Sequence, residues 1–208
     1  AVDVLQADLT KPSDLAAVEA RLRDDTRIGI LINNAGAAQS GGILQQTADS
    51  IETLIALNTT APTRLAAAVA PRFAQSGSGA IVNISSVVGL APEFGMSIYG
   101  ATKVFGQFLS QGLSQELSPR GVYVQAVLPA GTRTEIWERA GIDASGMSDL
   151  MDVGELVDAA LVGFDNREPV TIPPLHDARR WEALESARMV LLSEIQQAHA
   201  AERYLSAA

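Results

Sequence analysis

Short apolar runs alternate with helix-length apolar stripes along the 208 residues, and that alternation predicts the architecture. Residues 2–9 alternate roughly and end in Asp8-Leu9-Thr10. Pro12-Ser13 then opens a segment with Leu15, Val18 and Leu22 on one helical face, so a strand followed by a helix is expected. Residues 28–32 form a continuous apolar run that stops at Asn33-Asn34-Ala35-Gly36, the pattern of a strand buried on both faces and closed by a tight turn. Residues 49–73 are rich in Ala and Leu and predict a long helix bent at Pro62, followed by a buried strand over 80–84. The pattern continues with a helix over 99–117, a strand over 122–128, a helix over 153–163, a short strand over 170–172 and a last helix over 178–197. Such alternation predicts an α/β fold with a doubly wound parallel sheet in three layers, helices covering both faces. Without repeats or low-complexity tracts, residues 1–208 read as one domain.

The helix over 99–117 carries Val104, Phe105, Phe108, Leu109, Leu113 and Leu117 around much of its circumference. One side must face the sheet. The other faces either a second subunit or a deeper part of the same domain.

Composition narrows the partners. The chain is 47% hydrophobic and 19% charged, enough apolar residues for a full core. A net charge of −9 argues against nucleic acid and anionic membrane, both polyanions, and favours a small organic ligand. The absence of Cys excludes disulfides, thiolate zinc sites and thiol nucleophiles, so any redox chemistry must come from a cofactor, and it fits a reducing cytoplasm. No apolar run reaches transmembrane length, and Val2-Asp3-Val4 does not read as a signal peptide. His176 and His199 show no metal-ligand spacing, so no metal is expected. Thirteen Arg against two Lys hint at a GC-rich bacterial genome.

The chemistry concentrates in Tyr99 and Lys103, four residues apart and preceded by Ser86. A phenol works as an acid and base near neutral pH only if its pKa of about 10 is lowered, which a nearby cation does. Positions i and i+4 share a helix face, so the Lys103 ammonium can lie beneath the ring oxygen or reach a cofactor. Taken alone, the pair also fits an ordinary amphipathic helix start. Ligands of a parallel sheet bind beyond the carboxyl ends of its strands, and Asp8, Asn33 to Gly36, Ser86 and Pro129 to Thr134 fall there. Asn58, inside the long helix, is either a satisfied polar side chain or an amide that disturbs helical bonding and holds a water.

Asn33-Asn34-Ala35-Gly36, Asn58, Ser86, Tyr99 with Lys103, and Pro129 through Thr134 stand in one order, with thirteen residues from Ser86 to Tyr99. In this the chain resembles the short-chain dehydrogenase/reductase family over nearly its whole length, which implies a Rossmann-like sheet. The resemblance implies that Tyr99 is the general acid or base, that Ser86 positions the substrate oxygen, that Lys103 binds the nicotinamide ribose and lowers the Tyr99 pKa, and that Asn58 supports a proton relay through water. Ser85 competes for the serine role, but the spacing favours Ser86. Asp8 and Leu9 would contact the adenine. Asn34, Ala35 and Gly36 would let the backbone approach the cofactor, and Pro129, Gly131, Thr132 and Thr134 would meet its nicotinamide side. Ala130 departs from the family, which usually has Gly after the Pro, and is tolerable if its φ is negative. Residues 131–152 correspond to a substrate lid, and Ile136, Trp137, Ile142, Met147 and Met151 within it suggest a hydrophobic carbonyl or alcohol substrate. Phe94 and Met96 would add to that pocket, although about half of these apolar residues would be ordinary core on base rates. The cofactor is NADP or NAD, with NADP favoured, and the implied assembly is a homodimer or homotetramer through the Tyr99 helix.

A larger departure lies at the N-terminus. The resemblance predicts a strand, a Gly-rich turn, a helix and a second strand before Asp8, the part that holds the pyrophosphate, so the fold reads as incomplete there. In the family's strand order 3-2-1-4-5-6-7, residues 2–9 and 28–32 would stand about 14 Å apart with nothing between them. The chain is part of a longer protein, its sheet closes up, or another chain fills the gap; the start without Met favours the first. If these residues were the whole protein, little dinucleotide affinity is expected. A sugar-nucleotide epimerase would share Tyr-x-x-x-Lys but need more chain after Thr134, and a non-catalytic binding protein would not need the Ser86, Tyr99 and Lys103 set.

Overall fold

A computed structural model describes residues 2–39, 41–139, 141 and 143–205; Ile142, expected in the lid, lies outside the described residues. The chain forms two compact units, one ending at Pro174 and one beginning at Leu175. The second contains a helix, Arg179–Glu194, whose N-terminus is flanked by the Arg179 to Asp177 ion pair.

The first unit is built on four parallel strands in the order β1 (Ile30–Asn33), β2 (Ala80–Ile84), β3 (Tyr123–Val127) and β4 (Val170–Thr171). In register, Leu31 stands beside Ile81 and Ile81 beside Val124, so these three point to one face. That face is covered by α1 (Pro12–Asp24) and α3 (Ala61–Ser76), with the end of α4 (Ser97–Leu117). Leu15, Leu22, Leu65, Val69 and Phe73 pack there, with Leu113 and Leu117 at the margin. Pro12 opens α1 where its missing N–H costs nothing, Asp14 follows in the first turn, and Arg21 and Arg23 lie in the last turn, so both ends suit the helix dipole.

The opposite face carries Ile32, Val82 and Gln125 side by side. Over β3 and β4 it is covered by α6 (Val153–Asp165), to which Gln125 donates at the Ala160 carbonyl and against which the Tyr123 ring meets Phe164 edge-on. Asp152 caps α6 by accepting from the N–H groups of Gly154 and Glu155. Over β1 this face is open: Ile30 and Ile32 are 51% and 61% exposed, so the expected burial on both faces of this strand is corrected to one face.

The expected first strand does not form. Residues 2–8 make no ladder and Val2, Val4 and Leu5 are exposed, although Leu9 packs against the core. An alternating segment becomes a strand only when a neighbouring edge accepts its hydrogen bonds, and none pairs with these residues here. The long helix also differs from expectation. It runs as α2 (Ala48–Ile55), a π-helical turn (Ala56–Thr60) and α3, with the irregularity ahead of Pro62 rather than at it.

Candidate active site

The turns at the carboxyl ends of β1 and β2 meet α4 around Lys103, and the loop beyond β3 meets the turn beyond β2. Beyond β2, Ser86 opens a short 3-10 turn (Val87–Leu90) and accepts from the Val88 N–H at 3.2 Å. The loop after β3 is drawn onto it, since the Pro129 carbonyl accepts from the Val87 N–H at 2.9 Å and from the Ser86 hydroxyl at 3.3 Å. Gly89 lets this turn lie directly on α4: a Cβ there would stand 2.7 Å from the Val104 nitrogen.

This packing sets Ser86 against Tyr99. Burial pushes the Tyr99 phenol up, and its hydrogen bond with the Ser86 hydroxyl pulls it down. The Lys103 ammonium lies over the Tyr99 ring, 5.6 Å from its centre, and donates to the Ile84 carbonyl at 3.1 Å. Burial brings Lys103 down to about 8. The expected lowering of the phenol by Lys103 is therefore not what the protein alone produces: loss of water around the ring outweighs the other influences. The neighbouring Ser85 hydroxyl instead donates to the Lys103 main-chain carbonyl within the core.

Asn58 sits at the centre of the π-helical turn with its side chain committed. Its Oδ1 accepts from the Ala37 N–H at 2.9 Å, and its Nδ2 donates to the Ala37 carbonyl at 2.9 Å and to the Thr102 hydroxyl at 3.0 Å. Thr102 in turn donates to the Tyr99 carbonyl at 2.8 Å, so the turn after β1 is tied to the helix that carries the phenol. Gly36 closes the group: a Cβ there would lie 3.3 Å from Asn58 Oδ1 and 3.6 Å from Lys103 Nζ. Behind these residues lies a cavity of about 20 Å³ whose walls include Asn58, Pro62, Asn83, Ser85 and Lys103. One water needs about 10–15 Å³ on such a measure.

Sequence reasoning missed Thr102 and the buried chain from Asn33 Nδ2 to Asn83 Oδ1 at 2.8 Å and from Asn83 Nδ2 to Ser110 at 2.8 Å. The two Asn are cross-strand partners, so only the register of β1 on β2 reveals them. Asn or Thr within otherwise apolar, buried segments was the available signal.

The remaining predicted residues form a periphery. Asn34 and Ala35 are exposed on the turn beside Gly36. Ala130 is free of positive φ, which satisfies the condition for replacing the usual Gly. The segment 131–152 is pinned at its base, where Met151 donates to the Gly131 carbonyl and Arg133 to the Met151 carbonyl, both at 2.9 Å, bringing Thr132 beside Met151. Trp137, in the short helix α5 (Ile136–Arg139), folds back to donate to the Thr132 carbonyl at 2.7 Å. Thr134 accepts from the Ile136 N–H. Phe94 is 57% exposed, Met147 is exposed, and Met96 is half-buried at the entrance to α4. Asp8 makes only local contacts in the described structure, to Thr10, Lys11 and Asp14. Its carboxyl is held below the ordinary value mainly by Thr10.

The family profile described as short chain dehydrogenase matches residues 1–144. A short-chain dehydrogenase from Sphingobium yanoikuyae, solved in complex with NADPH, is 75% identical, with a TM-score of 0.96 over 98% of this chain and 80% of that one. The bulky-bulky ketone specific alcohol dehydrogenase of Comamonas testosteroni is 66% identical, with a TM-score of 0.90 over 98% of this chain and 78% of that one. Among curated proteins, the 2,5-dichloro-2,5-cyclohexadiene-1,4-diol dehydrogenase of Sphingobium indicum is 35% identical over 106 residues, 51% of this chain. That match covers 42% of the relative, so the chain spans less than half of its length.

Proposed function

The chain belongs to the short-chain dehydrogenases, and from that membership we propose that the protein moves hydride between NADPH and the carbonyl carbon of a ketone with two bulky substituents, Tyr99 exchanging the proton. The observation that carries this reading is the convergence of Ser86 and Lys103 on the buried Tyr99 phenol at the carboxyl ends of the strands. A phenol that burial holds protonated is suited to donate to a substrate oxygen, and Ser86, already bonded to it, is placed to hold that oxygen in line.

The residues fit a nicotinamide cofactor. The space a Gly36 side chain would fill lies between Asn58 and Lys103, so the backbone of Asn34, Ala35 and Gly36 can approach a ribose closely. Lys103, with two N–H groups beyond the one given to Ile84, would bind that ribose together with Tyr99. Pro129, Gly131, Thr132 and Thr134 would meet the nicotinamide, and Asp8 and Leu9 the adenine. When bound, the cofactor supplies the hydride. The choice of NADPH and of a bulky ketone follows the two solved neighbours. Ser86, Phe94, Met96, Trp137 and Met147 would line the substrate side, with 131–152 acting as the lid.

The Asn58 side chain is fully engaged with Ala37 and Thr102, and the one-water cavity that Asn58 and Lys103 both line is where a water of the proton relay would sit. We assign the assembly to a homodimer or homotetramer through α4, and the activity to the cytoplasm, which the cysteine-free composition suits. No helix among the described residues is long and apolar enough to cross a membrane.

Replacing Tyr99 with Phe in the full-length protein tests the reading. Ketone reduction followed at the reduced nicotinamide absorbance should fall by roughly 10²–10⁴-fold, with NADPH binding retained by fluorescence titration. Undiminished turnover would assign the proton transfer elsewhere.

A further inference from the structure

We propose that Thr102 is a positioning residue, its hydroxyl fixing the turn that follows β1 against the helix that carries Tyr99 and Lys103. The proposal rests on the dehydrogenase reading above and adds to it the side chain that ties together the two sides of the ribose site.

Thr102 stands three residues after Tyr99 and one before Lys103, and it is 4% exposed. A hydroxyl has one proton to donate and two lone pairs with which to accept. The Tyr99 main-chain carbonyl can only accept, so the Thr102 proton goes there, at 2.8 Å. What Thr102 presents to Asn58 is therefore an acceptor, and Asn58 Nδ2 donates to it at 3.0 Å.

That choice imposes a direction on the Asn58 amide. With Nδ2 held by Thr102, Oδ1 accepts from the Ala37 N–H and Nδ2 also donates to the Ala37 carbonyl, both at 2.9 Å, so one amide grips both main-chain groups of one residue. Turned over, the amide would set its oxygen against the Ala37 and Thr102 oxygens and its N–H groups against the Ala37 N–H. Ala37 directly follows Gly36, where a Cβ would lie 3.3 Å from Asn58 Oδ1 and 3.6 Å from Lys103 Nζ. Little space separates the turn from the ammonium, and a shift of Ala37 moves the Gly36 backbone relative to Lys103 and Tyr99. A Thr hydroxyl inside a helix can be satisfied by its own helix alone. Thr102 also receives a bond from another element, so the effect of losing it extends beyond α4.

Thr102→Val keeps the shape and replaces the hydroxyl with a methyl, whereas Thr102→Ser keeps the hydroxyl. In the full-length enzyme without cofactor, the Ala37 amide of Thr102→Val should exchange with deuterium about tenfold faster than in the wild type, and that of Thr102→Ser within about twofold of it. With NADPH and a bulky ketone, kcat of the Val variant should fall about tenfold, and the NADPH Kd should rise. The ketone KM should stay within about twofold, because Ser86 and the lid are untouched. The isotope effect on kcat from NADPH deuterated at the transferred position should rise, since misalignment slows hydride transfer relative to product release. Thr102→Ser should restore kcat and the isotope effect. If Thr102→Val does not fold, Thr102→Ala removes the same hydroxyl and carries the same expectations. Wild-type kcat and Ala37 exchange in the Val variant would overturn the proposal, as would a Ser variant as impaired as Val. So would a kcat loss with unchanged isotope effect and Ala37 exchange, the mark of general damage. An inactive wild-type enzyme, or an active Tyr99→Phe variant, would instead overturn the dehydrogenase reading, with Ala37 exchange still testing the Thr102 link.

Discussion

Lys103 carries a cost that its position makes measurable. Its ammonium is buried against the Ile84 carbonyl and the Tyr99 ring, and burial brings its pKa to about 8 from the ordinary lysine value of 10.5. Below about pH 8 both folded and unfolded chains hold the proton, and the penalty for burying the cation is fully present. Between about 8 and 10.5 the unfolded chain binds the proton that the folded chain has released, so this group's contribution to stability improves as pH rises through that window. A shift of this size corresponds to on the order of 3 kcal/mol. Lys103→Met should therefore melt above the wild type near neutral pH, with the gap closing by about pH 10. The paired Tm curves check this, and taking their difference cancels the opposite trend from Tyr123, which burial pushes up to about 12. A gap that is constant with pH would mean that the ammonium is not buried. The same residue explains why a neighbouring Tyr and Lys were readable as a pair while their mutual effect was not: spacing places both on one face, but the balance of burial against charge depends on everything packed around them.

Ser86 reaches Tyr99 only because a turn lies against a helix with no side chain between them. A Gly89 Cβ would meet the Val104 nitrogen at 2.7 Å and the Lys103 carbonyl carbon at 3.0 Å, and helix backbone cannot move aside as a flexible side chain does. Gly89→Ala should push the Ser86 turn away from α4, cost about 1–3 kcal/mol of stability, and lower kcat more than it raises KM. Denaturant unfolding and steady-state kinetics on one preparation check both effects, and wild-type values in both would show that the contact relaxes freely. Elements defined by their own residues were legible before the structure: the strand over 80–84 appears with those bounds, and α1 begins at Pro12 as its capping pattern predicts. Elements that depend on a partner were not. Residues 2–9 have a strand's alternation without a neighbouring edge to bond to, and residues 28–32 are as apolar as a doubly buried strand although only one face is covered. The bend was expected at Pro62, but the N–H that a proline lacks would have bonded into the turn before it, so the irregularity occupies Ala56–Thr60.

At the scale of the molecule, α4 does two things with opposite sides. Tyr99, Thr102, Gln107 and Ser110 are buried toward the sheet and the site, whereas Val104, Phe105 and Phe108 stand at 44%, 40% and 74% exposure on the other side. An exposed Phe on a helix that also positions the acid and the cation is poorly explained by one chain in water, because a contiguous apolar stripe of this kind usually marks an interface. A second copy laid on the stripe would remove it from solvent and stiffen the helix from which Tyr99 and Lys103 project. A stable interface of this kind buries roughly 800 Å² on each partner, so the stripe would form its centre with neighbouring polar residues around it. Phe108→Glu places a charge at that centre, where association would bury it unpaired. Light scattering coupled to size exclusion should show the full-length wild type as a dimer or tetramer, and Phe108→Glu shifted to a lower mass at micromolar concentration. Phe108 does not touch Tyr99 or Lys103, so any accompanying loss of kcat would measure how far the partner steadies the site. A monomeric wild type, or a variant of unchanged mass, would remove α4 from the interface and leave its exposed aromatic face without the subunit role assigned to it.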